Sequence, residues 1–302
     1  MLYLVQHAEA KREDEDPARP LTKKGWQDAR KVAQHAVGDH AGHGGPVTTP
    51  AGDSKRRSGR PATIKVGCCG FPRRQEEYAR HLSLVEVQQT FYRPPRLQTA
   101  ERWRGRVPAE FEFTMKAWQL ITHPPTSPTY RRLGRTIPSS KHGRYGFFAA
   151  TDEVLEAWEA TRAVARILRA TIVLFQCPAS FTPTPAHVAN LRRFFARITR
   201  EGMRLAWEPR GDWPADVIAS LCRDLDLIHC VDPFAGPSYH GRPRYYRLHG
   251  KGGYRYRYTA ADLRALRAMC SGATYVLFNN ISMWEDALRF RRTLLLHVGS
   301  TS

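Results

Sequence analysis

Residues 64–70 read IKVGCCG, residues 84–91 read LVEVQQTF and residues 111–117 read FEFTMKA. These stretches are short and rich in apolar residues, and polar or charged residues stand near the ends of the second and third, as in buried β-strands. Five more stretches of this kind follow: TIVLFQC at 171–177, RLAWE at 204–208, LIHCVD at 227–232, YYRLH at 245–249 and YVLFNN at 275–280. Eight strands that alternate with helical segments predict an α/β fold, a (β/α)8 barrel of the TIM type.

Alternation within each strand predicts which side chains point into this barrel. Successive residues of a strand face opposite sides, so Val85 and Val87 lie on one face and Glu86 and Gln88 on the other. We expect the apolar set to pack against the helices. The polar set, which includes Lys116 of the next strand, then lines the barrel interior near the carboxyl ends of the strands.

Active sites of TIM barrels lie at those carboxyl ends, which we call the mouth of the barrel. The candidate catalytic residues are Glu86, Lys116, Glu208, Asp232 and His249. The candidate ligand-binding residues are Gln88, Tyr92, His123, Gln176, Arg210, Trp213, Arg247, Lys251 and Asn279.

The candidate catalytic residues leave two chemistries open. Glu86 and Glu208, with Asp232 and His249 nearby, are suited to binding a divalent metal that activates water for hydrolysis of a phosphoester. A metal-free alternative uses Glu208 as general base and His249 or Lys116 as acid on a sugar-type substrate, in an isomerase or a hydrolase. A third interpretation is purely structural, because buried carboxylates need cationic partners whatever the function.

A glycine-rich and basic segment follows the seventh strand and reads HGKGGYRYRY from His249 to Tyr258. Backbone N–H groups in such a turn can bind an anion, and TIM barrels often bind phosphate after strands seven and eight. Its tyrosines and arginines are also suited to stacking on exposed bases. The alternative is that the tyrosines only cover the rim of the barrel.

The formal net charge of +19 and the pI near 10.1 favour a phosphate-bearing partner, with nucleic acid as one candidate. A non-catalytic nucleic-acid-binding module is therefore an alternative to an enzyme.

No apolar stretch approaches the ~20 residues that span a membrane, so we expect a cytoplasmic protein with no membrane partner. The six cysteines lack CxxC spacing and are expected to be free and buried. The oligomeric state does not follow from these patterns.

Three regions follow from the change of composition along the chain: a short strand–helix segment at 1–37, a flexible basic linker at 38–63 and the barrel at 64–302. The first resembles the opening of the SixA-type phosphohistidine phosphatases, with Gln6, His7 and Ala8 at the position of their RHG or RHA motif. Glutamine in place of arginine removes a phosphate-binding group. We interpret this segment as a truncated remnant without phosphatase activity.

The barrel region resembles the YecE-like proteins, a family also known as domain of unknown function 72. The similarity rests on VEVQQTFY (85–92), FTMKAWQLITH (113–123), LFQCPASF (174–181), WEPRGDW (207–213), YYRLHG (245–250) and FNN (278–280). The resemblance implies a TIM barrel with a polar mouth, in a family that has no established reaction.

Overall fold

The computed structural model describes residues 63–295, and these form a closed barrel of eight parallel strands. Each strand pairs with the next one along the chain, and the last pairs with the first, as Val66 does with Val276. The strands are β1 (Ile64–Cys69), β2 (Leu84–Val87), β3 (Glu112–Lys116), β4 (Ile172–Gln176), β5 (Arg204–Glu208), β6 (Leu227–Val231), β7 (Arg244–Leu248) and β8 (Thr274–Phe278). All eight predicted strands are confirmed.

Helices surround this barrel. The α-helices of the described residues are α1 (Gln75–His81), α2 (Gln89–Tyr92), α3 (Leu97–Gly105), α4 (Gln119–Thr122), α5 (Asp152–Leu168), α6 (Pro185–Arg197), α7 (Ala215–Asp224), α8 (Ala260–Met269) and α9 (Met283–Leu295). Two 3-10 helices, Pro128–Arg132 and Ser139–Arg144, lie between β3 and α5. In the described chain, β6 and β7 are joined by a loop without a helix, which contains Pro233, Pro237 and Pro243.

The predicted alternation of side chains is also confirmed. Val85 and Val87 belong to the apolar layer between strands and helices, together with Phe113 and Met115. The barrel interior has its own small apolar cluster of Cys69, Leu84, Ile172, Leu174, Ala206, Ile228, Cys230, Tyr245, Tyr275 and Leu277. These residues form an apolar floor beneath the mouth, so the charged groups above them are shielded from water on that side.

The opposite end of the barrel is closed by a separate polar cluster. Lys65 forms an ion pair with Glu112, and Tyr275 donates a hydrogen bond to the same carboxylate. These three residues come from the beginnings of β1, β3 and β8. Polar groups at this end of a TIM barrel contribute to stability rather than to catalysis.

All six cysteines are free, and five of them are buried, as predicted. Cys69 points into the barrel interior, whereas its neighbour Cys68 packs in the outer layer. Burial raises the pKa of Cys69 well above its usual value, so the thiol stays protonated and inert.

The segment at 1–37 and all but the last residue of the predicted linker lie outside the described residues. Across residues 63–295, no helix combines the length and the apolar character needed to cross a membrane.

Candidate active site

Arg247, which follows the middle of β7, joins two carboxylates at the mouth. Its Nη1 lies 2.6 Å from Oε2 of Glu208, and its Nε donates to Oε1 of Glu86 over 3.1 Å. The three side chains come from β7, β5 and β2, and their exposure does not exceed 7%. Buried carboxylates are costly without cationic partners, and this guanidinium gives both of them charge-assisted hydrogen bonds.

Glu86 receives further hydrogen bonds from uncharged groups. The hydroxyl of Tyr245 donates to Oε2 over 2.7 Å, and the amide of Gln88 donates to Oε1. Thr114 lies 2.7 Å from the same tyrosine hydroxyl. Glu86 is therefore fully occupied by Arg247, Tyr245 and Gln88, and this leaves it poorly placed to act as a base or to bind a metal.

Glu208 has a second arginine at the edge of the mouth. Arg210 donates from Nε and Nη2 to Oε1, over 3.1 and 2.9 Å. Burial alone would raise the pKa of Glu208, but Arg210 and Arg247 outweigh it and hold that pKa well below its usual range. Glu208 is thus an anion at neutral pH and a weak base.

His249 completes the network and is neutral. Its Nδ1 lies 3.0 Å from the amide Nδ2 of Asn279, and its Nε2 lies 3.2 Å from Oε1 of Glu208. Nε2 also lies 3.1 Å from Nη2 of Arg210, so this nitrogen is within reach of both an acceptor and a donor. Burial, with help from Arg210 and Arg247, lowers the pKa of His249 to about 4.

Asp232 supports this arrangement through the backbone of the histidine. Its carboxylate accepts hydrogen bonds from the backbone N–H groups of His249, over 2.9 Å, and Phe234, over 3.0 Å. Burial raises its pKa, whereas these two hydrogen bonds lower it. Asp232 thus fixes the chain that carries His249, and its oxygens are committed to the backbone.

Lys116, the last residue of β3, differs from every other charged group of the mouth. Its amine lies 4.4 Å from the ring centre of Phe91, and in the described chain it has no hydrogen bond and no carboxylate within 4 Å. Only 7% of the residue is exposed. Burial and the charge of Arg247 lower the pKa of Lys116 to about 7, although Glu86 and Glu208 oppose that change.

His123 lies on the same side of the mouth as Lys116. Its ring meets the ring of Phe91 edge to face at 4.9 Å, and its Nδ1 is 2.8 Å from the hydroxyl of Thr122. Burial and the charges of Lys116 and Arg210 lower the pKa of His123 to about 3. His123 is therefore uncharged at neutral pH, and its ring lines one side of the site.

Two other predicted ligand-binding residues have defined surroundings. Gln176 stands beside Glu208 in the register of β4 and β5, and it is partly exposed. The ring of Tyr92 stacks under the guanidinium of Arg132 at 3.6 Å. Its carbonyl accepts hydrogen bonds from Trp118 and Gln119, so Tyr92 belongs to the wall beyond Phe91.

The structure does not bring Trp213 and Lys251 to the charged network. Trp213 is buried edge to face against Trp207, and its indole N–H donates to the carbonyl of Phe181. Lys251 forms an ion pair with Asp262 and lies over the ring of Phe234. Both residues were predicted to bind ligand, and both have structural partners instead.

In the glycine-rich segment after β7, polar groups form hydrogen bonds with each other. The N–H of Gly250 donates to the hydroxyl of Tyr258, and the N–H of Gly253 donates to the carbonyl of Gly250. The start of α8 is closed by a capping box between Thr259 and Asp262. These contacts weaken the prediction of a phosphate cradle in this segment.

The mouth does not fit the divalent metal that one of the two open chemistries would require. Within residues 63–295, no three His, Cys, Asp or Glu side chains are grouped so that they could hold an ion. The oxygens of Glu86, Glu208 and Asp232 are occupied by arginines, a tyrosine and backbone N–H groups. We therefore derive no hydrolytic step through a metal.

Sequence reasoning missed Tyr245 and Phe91 as parts of the site. Tyr245 stands two residues before Arg247 on the same strand, so alternation places it on the interior face directly below. The signal was thus present in the strand pattern. Phe91 lies in the short helix α2, and no pattern in the sequence indicates that it contacts Lys116.

Comparison with known proteins identifies the family. Residues 70–301 match the family model described as protein of unknown function DUF72. The chain belongs to the DUF72 family. No curated protein matches this DUF72 chain significantly.

Two solved structures show the fold of this DUF72 barrel. A DUF72 family protein of Enterococcus faecalis is 22% identical with a TM-score of 0.59, over 78% of this chain and 98% of that one. A DUF72 family protein of Thermotoga maritima is 19% identical with a TM-score of 0.52, over 77% and 99%. The similarity establishes the architecture and carries no information on the reaction.

Proposed function

We propose that the mouth is the active site of a metal-independent enzyme that transfers protons on a small sugar-type substrate, with or without a phosphate group. The observation that carries this proposal is the environment of the Lys116 amine. It is a buried amine without a carboxylate partner in the described chain, and it stands beside a network in which every other charge is neutralised.

The pKa values of the site support an assignment of roles. A general acid or base works best when its pKa is near the working pH, and the pKa of Lys116 is lowered to about 7. Glu208 is held as an anion by two arginines, and His249 is neutral. Lys116 is therefore the proton donor and acceptor, whereas the network orients the substrate and balances its charge.

The uncharged polar groups support a hydroxylated substrate. Gln176 and Asn279 stand at strand ends around the network, and Arg210 is partly exposed at its edge. Amide groups can both donate to and accept from hydroxyls. Lys116 and Arg210 would also attract a phosphate group, which keeps phosphorylated sugars among the candidates.

The test is deuterium exchange. The protein, freed of metal with EDTA, is incubated in D2O with trioses, pentoses, hexoses and their phosphate esters, and loss of the proton next to the carbonyl is followed by proton NMR. We expect exchange with at least one compound, and at least about a hundredfold slower exchange for Lys116→Met, within the range for a lost general acid–base group.

Lys141→Met is the matched control, because Lys141 is exposed on the second 3-10 helix and lies outside the described network. This variant should exchange like the wild type. Absence of exchange across the whole panel, or exchange that requires an added divalent ion, would contradict the proposal.

A second candidate function is binding of single-stranded nucleic acid, and one observation favours it. Tyr254 is 41% exposed, and Arg255 and Arg257 are exposed on the same segment after β7. An aromatic ring close to two cationic side chains suits stacking on a base with contacts to flanking phosphates. The residues of this surface differ from Lys116, so separate substitutions test the two functions independently.

A further inference from the structure

We propose that Lys116 forms an imine with the carbonyl carbon of an aldehyde or ketone substrate. The inference rests on the proposed function in taking the mouth as the reaction site, but it assigns Lys116 a covalent role. Its basis is the position of the amine: at the end of β3, against the ring of Phe91, and beside a fully paired Arg247 network.

Attack on a carbonyl requires a neutral amine with a free lone pair. A carboxylate partner would keep a lysine protonated, as Asp262 does for Lys251. Within the described residues, Lys116 has no such partner, and the guanidinium of Arg247 disfavours a second positive charge nearby. The pKa of Lys116, lowered to about 7, agrees with this geometry, because about half of the amine is then neutral at pH 7.

The step balances without an oxidant or a reductant. The Nζ lone pair forms a bond to the carbonyl carbon, the C=O π bond breaks, and the proton lost by nitrogen goes to the oxygen. The hydroxyl of the resulting carbinolamine then takes a proton from solvent and leaves as water. The product is a protonated imine, which withdraws electrons from the adjacent carbon and acidifies its hydrogen.

The site is suited to hold that cation once it forms. Both Glu86 and Glu208 attract positive charge at Lys116, although neither is within ion-pair distance of the free amine. The face of Phe91 gives additional stabilisation to a cation above it. The charge of a protonated imine is shared between nitrogen and carbon, so it depends less on hydration than the charge of an ammonium does.

The experiment is reductive trapping. The full-length protein is incubated at pH 7 with D-glyceraldehyde or dihydroxyacetone and sodium cyanoborohydride, and the modified lysines are located by peptide mass spectrometry. The chain has only nine lysines, so each can be followed. An exposed lysine has less than about a thousandth of its amine neutral at pH 7, so background labelling is low.

We expect the peptide with Lys116 to be labelled at least about tenfold faster than those with Lys141 and Lys251. Labelling should saturate with carbonyl concentration and should vanish from that peptide in Lys116→Arg. Equal labelling of Lys116 and Lys141 in the wild type would overturn the inference, and this comparison does not depend on the folding of any variant.

The two proposals fail differently. Deuterium exchange without a Lys116 adduct would overturn the imine and leave the proton-transfer function in place. An adduct without exchange would support the imine and contradict proton transfer on that substrate.

Discussion

Nη1 of Arg247 lies 2.6 Å from Oε2 of Glu208, and the two side chains are 1% and 7% exposed. The same guanidinium reaches Glu86 on the far side of the barrel. A single cation therefore binds two anions above the apolar floor, and Arg210 adds a second positive charge beside Glu208. Desolvation makes a buried charge without a partner unfavourable, so the network stabilises the fold only when all its members are present.

Replacing Arg247 by methionine should strongly destabilise the protein. The change leaves two buried carboxylates without their shared cation, and we expect the free energy of unfolding to fall by about 3–5 kcal/mol. Urea denaturation followed by circular dichroism measures it. Arg192→Ala is the control, because its ion pair with Asp224 is exposed and should contribute less than about 1 kcal/mol. Equal small losses for both variants would show that the buried network is not required for stability.

Lys116→Met should instead stabilise the protein, and by an amount that depends on pH. Because the pKa of Lys116 is lowered in the folded state, to about 7, the unfolded chain binds more protons between pH 7 and about 10.4. Below pH 7 the wild type is therefore destabilised by the full cost of burying the charged amine. This cost falls as the pH rises from 7 to about 10.4. We expect the variant to gain roughly 2–4 kcal/mol at pH 6 and much less at pH 10.

Thermal denaturation of the Lys116→Met variant and the wild type across pH 6–10 checks this difference. The exposed change Lys141→Met should show no such trend. A gain that stays constant with pH would mean that Lys116 titrates normally in the folded protein.

The strands and their inward faces could be predicted from the sequence because they depend on local alternation. Glu86, Lys116, Glu208, Arg247 and His249 all lie at the mouth, as the period of two requires. Residue types alone left a divalent metal open as one alternative, and the structure gives the carboxylates that would bind it other partners. Those partners are distant in sequence: Arg247 and Glu86 are 161 residues apart.

For Trp213 and Lys251 too, the sequence did not reveal the partner that each side chain has in the fold. The carbonyl of Phe181, which satisfies Trp213, becomes a neighbour only through tertiary packing. For Lys251 a local signal existed, since Thr259 and Asp262 have the spacing of a capping box and mark a carboxylate at the start of α8. A carboxylate at that point was a ready partner for the lysine.

Gly250 should be required for the conformation of the segment after β7, unlike Gly252. Gly250 has φ +90°, and a Cβ there would lie 2.2 Å from the carbonyl oxygen of Gly253. A Cβ at Gly252 would meet no atom within 4 Å. We expect Gly250→Ala to cost at least about 2 kcal/mol of unfolding free energy and Gly252→Ala at most about 0.5 kcal/mol. Urea denaturation distinguishes them, and similar values for the two alanines would contradict the close approach of the backbone at Gly250.

Binding of single-stranded DNA should depend on Arg255, Arg257 and Tyr254 in different ways. Each arginine that contacts a phosphate releases counterions, so replacing both by alanine should weaken binding and reduce the slope of log affinity against log salt by about 1.4. Tyr254→Ala should weaken binding with an unchanged slope, because stacking releases no counterions. Lys251→Ala serves as the comparison, since Lys251 is already paired with Asp262 and should alter the slope little. Fluorescence anisotropy with labelled oligothymidine at several salt concentrations measures the wild type and all three variants. Slopes that are identical in every variant would exclude this surface as a nucleic-acid site and leave its tyrosine as part of the barrel rim.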